Sequence, residues 1–174
     1  MNTMQINRSH SHALPFALAF ACAQAVAQNE PQALPTVRLN AGLYNIQAEL
    51  AQRPEERQTG LMFRKEMATS AGMLFAFEEA TVQCFWMRNT LLPLSIAFLA
   101  DDGTVVNIAD MKPQTTDSHC SAKPVRFALE MNQGWFAKRG IKAGAKVQGP
   151  PFVKSSNTTK LIFMQEILLV KFLI

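Results

Sequence analysis

Between residues 37 and 147 the chain repeats short segments of branched and aromatic residues separated by turn formers, and this recurrence constrains its fold more than anything else. Tyr44, Ile46, Ala48 and Leu50 alternate with Asn45, Gln47 and Glu49, the period-two pattern of a strand with one wet face. Residues 73–77, 82–88, 94–100, 104–108 and 125–131 read as further strands, and 141–147 as a closing strand interrupted by Gly144. Asp101-Asp102-Gly103 joins two of them as a hairpin, with glycine supplying the positive φ such a turn requires. One short helix is expected at Pro54–Thr59, where Pro opens the first turn, Glu55 and Glu56 follow, and Gly60 stops it. A further helical turn is expected within 134–139. About seven short strands and one early helix predict an all-β domain, a sandwich or barrel, rather than a parallel sheet with crossover helices.

The ends of the 174-residue chain differ from this body in composition. Residues 13–21 form an apolar run after a weakly basic start carrying Arg8, and Ala25-Val26-Ala27 is a small-x-small site. The order predicts a secretory signal peptide over residues 1–27, cleaved after Ala27, then a linker over 28–36. Lipid modification at Cys22 is the alternative processing, although Leu18 and Phe20 match the lipoprotein box poorly. The apolar run is shorter than the about 20 residues that span a bilayer. The expected domain covers 37–148 and an atypical extension 149–174. In that extension a polar patch precedes the apolar segment 161–174, which contains Glu166 and Lys171 and is too short for a stable transmembrane span. It is an added strand, a docking helix or a non-native tail from a changed reading frame. The expected location is periplasmic or secreted.

Locating the charge removes an apparent preference for nucleic acid. The chain carries 17 Lys and Arg against 13 Asp and Glu, but residues 28–151 hold 13 basic and 12 acidic side chains. A nearly neutral body gives no electrostatic case for a nucleic-acid partner. Within the same segment the soft ligands are Cys84, Cys120 and His119. Two cysteines in an oxidising compartment predict a Cys84–Cys120 disulfide. A metal site built from the same three residues lacks the paired spacing of structural zinc sites, so no metal and no cofactor is expected.

The densest candidate surface is Cys84-Phe85-Trp86-Met87-Arg88-Asn89-Thr90. On a strand Trp86, Arg88 and Thr90 would share a face, an aromatic platform beside a fork for carboxylate or phosphate. The plainer alternative buries Trp86 in the core and pairs Arg88 with an acid such as Glu130. Glu130 itself stands in an apolar strand, where a carboxyl must be paired, hydrogen-bonded or protonated. It is the best general acid or base if the protein is an enzyme, and Asn132 lies two residues on. No Gly-x-Ser-x-Gly elbow or glycine-rich phosphate loop is present. A two-carboxylate hydrolase would have to combine Glu130 with Asp110 or Asp117. The methionines read as core filler.

Several of these segments together resemble a known family. Gly60-Leu61-Met62-Phe63-Arg64, Gly72-Met73-Leu74-Phe75-Ala76-Phe77, Phe85-Trp86-Met87-Arg88-Asn89-Thr90, Pro93-Leu94, Asp102-Gly103-Thr104-Val105 and Ala128-Leu129-Glu130-Met131-Asn132-Gln133-Gly134 are similar to the uncharacterised bacterial and archaeal family numbered 192 among domains of unknown function. The resemblance covers about residues 39–147 and implies a compact jelly-roll-like β-sandwich, with no established activity attached. Many relatives carry an acid after the Pro-Leu pair, where this chain has Ser95, so a role needing a carboxylate there is not expected. The sequence reading is therefore an exported module that binds a small molecule or a cell-envelope component through Trp86, Arg88, Asn89, Thr90, Glu130 and Asn132. A hydrolase using Glu130 with an Asp, and a structural partner of another envelope protein, are the alternatives.

Overall fold

The computed structural model describes residues 30–152, so the signal-peptide, Cys22 and tail expectations fall outside the described residues. Nine strands form within them: β1 (Thr36–Ala41), β2 (Tyr44–Ala51), β3 (Ala71–Thr81), β4 (Cys84–Phe85), β5 (Leu94–Leu99), β6 (Val105–Met111), β7 (His119–Cys120), β8 (Val125–Asn132) and β9 (Val147–Gln148). One helix, α1 (Pro54–Thr59), and two 3-10 turns complete the fold, matching the mostly-β expectation with a single early helix.

Seven strands make one curled sheet in the order β6-β5-β8-β3-β2-β1-β9, a half-barrel, while β4 and β7 pair as a separate ribbon. The curl brings the two edges together. Val105 N–H donates to Ala145 O at 2.9 Å, Gly144 N–H to Val105 O at 2.8 Å and Val147 N–H to Gly103 O at 2.9 Å, so the β6 edge meets the segment entering β9. Gly103 is essential there: its φ is +78°, and an added Cβ would lie 2.0 Å from Val147 O.

One pairing departs from the antiparallel pattern of the others. β2 and β3 run parallel, joined by a crossover containing α1. The helix begins as its residues predict, with Glu56 accepting from Gln52 N–H and Arg53 N–H at 2.9 Å each. Those bonds hold the Glu56 carboxyl down at about 2.

Alternate side chains of the central strands fill two cores, one on each face of the sheet. On the first face Leu74, Leu99, Phe127, Leu129 and Met131 pack under Trp135, Phe136, Ile141 and Phe152. On the second, Met73, Phe75, Ile96, Phe98 and Ala128 pack under Leu61 and Met87, with Phe85 of the ribbon against them. Two expected strands are shorter than their composition suggests. Segment 82–88 is a strand only at Cys84–Phe85, because the chain turns at Arg88 and Asn89; segment 141–147 reaches strand geometry only at Val147, because Gly140 and Gly144 stand at φ +67° and +87°.

Candidate functional site

Glu130 occupies the middle of β8, with Met73 of β3 opposite it on one side and Ile96 of β5 on the other. Side chains opposite each other across a ladder share a face, so the carboxyl points into the second core. It is 4% exposed, and burial alone pushes its pKa up to about 8, no hydrogen bond or charge from the described residues acting on it. At neutral pH the group is mostly protonated. Gly72 allows β3 to approach this point closely, since a Cβ there would lie 2.4 Å from both Glu130 O and Met131 Sδ.

The carboxyl reaches a cleft of about 220 Å³. One wall is the end of α1 with Gly60, Leu61 and Met62; the second is Phe75 and Phe77 of β3; the third is the ribbon from Gln83 to Trp86, with Thr90 beside it. Phe85 locks the ribbon down by meeting Phe75, Phe98 and Phe77 edge-to-face at centroid distances of 4.9, 5.9 and 6.3 Å. A Cys84–Cys120 disulfide ties β4 to β7, as the cysteine count predicts. Asn107 of β6 then imitates a strand partner for that ribbon, donating to Cys120 O at 3.1 Å and accepting from Ala122 N–H at 2.9 Å.

Cations border the mouth. Arg57 lies 5.0 Å from the centre of the Phe77 ring and donates to Ala76 O at 2.9 Å and to Gln52 O, with Glu78 at 3.3 Å. Arg88 lies 5.9 Å from the centre of the Trp86 ring, and that ring is 50% exposed. Backbone strain collects beside the same wall: Phe63 and Asn89 stand at φ +64° and +58°, and Phe63 N–H donates to Asn89 O at 2.9 Å. A bulky residue in that region costs on the order of 1 kcal/mol or more.

The structure brings three of the expected site residues together and separates the rest. Trp86, Thr90 and Glu130 line the cleft. Trp86, Arg88 and Thr90 do not share one exposed strand face, because the turn buries Thr90 and leaves Arg88 outside. Arg88 stacks on Trp86 and forms no ion pair with Glu130, and Trp86 is not core. The Asn89 side chain is exposed, 4.0 Å from Met62 Sδ. Asn132 holds the loop entering β3, donating to Met67 O and Ala68 O at 3.1 Å each. The two-carboxylate site is not assembled: Asp110 accepts from Ser95 on the opposite face of the sheet from Glu130, and Asp117 is an exposed loop residue away from the cleft wall. Among the described residues no group of three or more His, Cys, Asp or Glu side chains could hold a metal ion, and no helix is long and apolar enough to cross a membrane.

A family model described as an uncharacterized ACR, DUF192, matches residues 36–149. The chain belongs to this family. Two solved structures are similar to this chain. A protein from Sinorhizobium meliloti, provisionally named a transcription regulator, is 37% identical, with a TM-score of 0.63 over 67% of this chain and 93% of that one. A protein of unknown function from Novosphingobium aromaticivorans is 38% identical, with a TM-score of 0.64 over 66% of this chain and 86% of that one. No curated protein matches the chain.

The DUF192 segments converge in space. Gly60, Leu61 and Met62 come from one, Phe75 and Phe77 from the next, Phe85, Trp86 and Thr90 from a third and Glu130 from a fourth, and all line one cleft. Residue-by-residue reading missed Arg57, Gln58, Thr59, Phe75, Phe77 and Gln83; the segments containing Phe75 and Phe77 were visible, but only the fold places them around Glu130. Ser95 accepts from Gly134 N–H at 2.8 Å on the far face and takes no part in the cleft.

Proposed function

We propose that this DUF192 domain is an exported binding module whose cleft holds the apolar body of a small molecule, with the Glu130 carboxyl as its polar anchor. One observation carries the reading: residues from four separated segments of the chain converge on a single cleft whose floor is a carboxyl without a partner among the described residues. Aromatic walls favour an apolar body, and Glu130, with Gln58, Thr59, Gln83 and Thr90 also in the wall, supplies the polar groups that fix orientation. Export is supported by the signal-like residues 1–27 and by the Cys84–Cys120 bridge, since disulfides persist in oxidising compartments. The near balance of charge in the body does not favour a nucleic-acid partner.

Saturation-transfer NMR against a panel of small envelope-derived and metabolic compounds tests the binding reading. Bound compounds are expected to perturb the Trp86 indole and the Phe85 ring, and Trp86→Ala is expected to weaken them about tenfold. Binding that leaves both rings unperturbed, or no binding across the panel, contradicts it. Mass spectrometry of the protein recovered from its host tests export: a mature chain beginning at Gln28, or at a lipid-modified Cys22, supports it, and an intact Met1 start opposes it.

A further inference from the structure

We infer that the polar group this cleft recognises is a cation, an ammonium carried on a small apolar body. The inference rests on the cleft being a ligand site and adds the charge of what it takes. Glu130 is the one acid in the cleft wall among the described residues, 4% exposed and aimed into the cavity. Nothing in the described protein hydrogen-bonds or neutralises its ionised form, and a buried carboxylate left alone is costly. When ionised, the carboxyl is one positive charge short of an ion pair.

Its surroundings favour the same sign. Phe75, Phe77 and Phe85 line the same cleft as Glu130, and the negative face of an aromatic ring attracts cations. The rings at the mouth already do so, with Arg57 over Phe77 and Arg88 over Trp86. An anionic ligand would instead meet aromatic rings and an acid floor. Arg57, the one basic residue of the wall among those described, is committed to the Gln52 and Ala76 carbonyls and to Glu78. A neutral hydrogen-bond acceptor could take the O–H of protonated Glu130, but it would lose that donor once the group ionises.

Cation binding therefore carries a proton balance. Glu130 gives its proton to solvent, and the ligand's charge replaces it. The groups packed around the carboxyl leave this titration to Glu130. From α1 comes Arg57; β3 and β5 present Met73, Phe75, Ile96 and Phe98; Cys84 of β4 is held in the disulfide; His119 of β7 stands across from Phe85 and is not in the cleft wall. Because Glu130 titrates at about 8, affinity for a permanent cation is expected to rise about tenfold per pH unit below that value and to level off above it.

The test compares choline with 3,3-dimethylbutan-1-ol, which has the same shape with carbon in place of the charged nitrogen, on the full oxidised protein. Choline is expected to bind at least tenfold tighter than the alcohol at pH 8, and about tenfold tighter at pH 7 than at pH 6. The Glu130→Gln variant is expected to bring the two affinities within about threefold and to remove the pH slope. The wild-type pH profile stands even if that variant folds poorly. Equal binding of the two compounds by the wild type, a choline preference that survives in Glu130→Gln, or choline affinity that does not rise with pH overturns the inference. Binding of the alcohol alone, with the Trp86 indole perturbed, overturns the cation while keeping the cleft as a ligand site; binding of neither counts against both.

Discussion

On the first face of the sheet β8 contributes Phe127, Leu129 and Met131, which meet Trp135, Phe136 and Phe152 in a core closed by large apolar side chains. On the second face the same strand contributes Ala128 and then Glu130, under a thin cover made of a six-residue helix and a ribbon of two-residue strands. Alternation along one strand thus separates two tasks. Both faces bury large apolar side chains that stabilise the domain, and the second in addition leaves room beside a carboxyl that weakens the fold. A residue whose burial opposes folding marks the face where function is sought.

The sharpest way to break this division is to damage the first face alone. Phe136→Ala empties a fully buried site and is expected to lower stability by about 3 to 5 kcal/mol in urea unfolding, leaving ligand affinity of the folded fraction within about twofold. A folded variant that also loses the ligand would mean the faces are not independent. Replacing Cys84 and Cys120 together with serine opens a loop of 36 residues and is expected to cost about 4 kcal/mol. Unlike the first change, it should also weaken ligand binding, because Gln83, Cys84, Phe85 and Trp86 form one cleft wall.

Glu130 sharpens the comparison through pH. The unfolded group ionises near 4.5 and the folded one near 8, so between these values the folded state holds the proton that the unfolded state has released. Raising the pH through that window therefore favours unfolding. Denaturation at pH 5 and pH 7 should differ by about 2 to 3 kcal/mol from this group, at about 1.4 kcal/mol per unit. Glu130→Gln should remove that component, and an unchanged slope would place the cause elsewhere. The smallest expected effect is at the edge of the cover. Asn107→Ala removes two hydrogen bonds to the β7 segment and is expected to cost about 1 to 2 kcal/mol and to speed amide exchange at Ala122.

How much of this was legible in the residues depended on how local the cause was. Pro54–Thr59 is a helix with the predicted bounds because Pro54, Glu55, Glu56 and Gly60 act within two turns, and the Asp101-Asp102-Gly103 hairpin forms because Gly103 adopts positive φ. The strand expected over 82–88 fails because aromatic richness looks alike in a strand and in a plug: Phe85 packs against the second core and Met87 is buried just before the turn. The parallel β2–β3 pair carries no local mark, since period-two alternation is the same whichever way the neighbour runs. Glu130 was visible as a carboxyl in an apolar strand. Its companions Arg57, Phe75 and Phe77 were not, because only the folded chain brings α1 and β3 around it.

A neutral carboxyl on the second face, within reach of a ligand in the cleft, is what both the binding and the pH behaviour depend on. A carbon-13 NMR titration of the Glu130 side-chain carboxyl, without and with saturating choline, measures it directly. The account predicts a midpoint near 8 in the free protein that moves down when the cleft is filled. A midpoint near 4.5 in the free protein, or one that choline leaves in place, would contradict it.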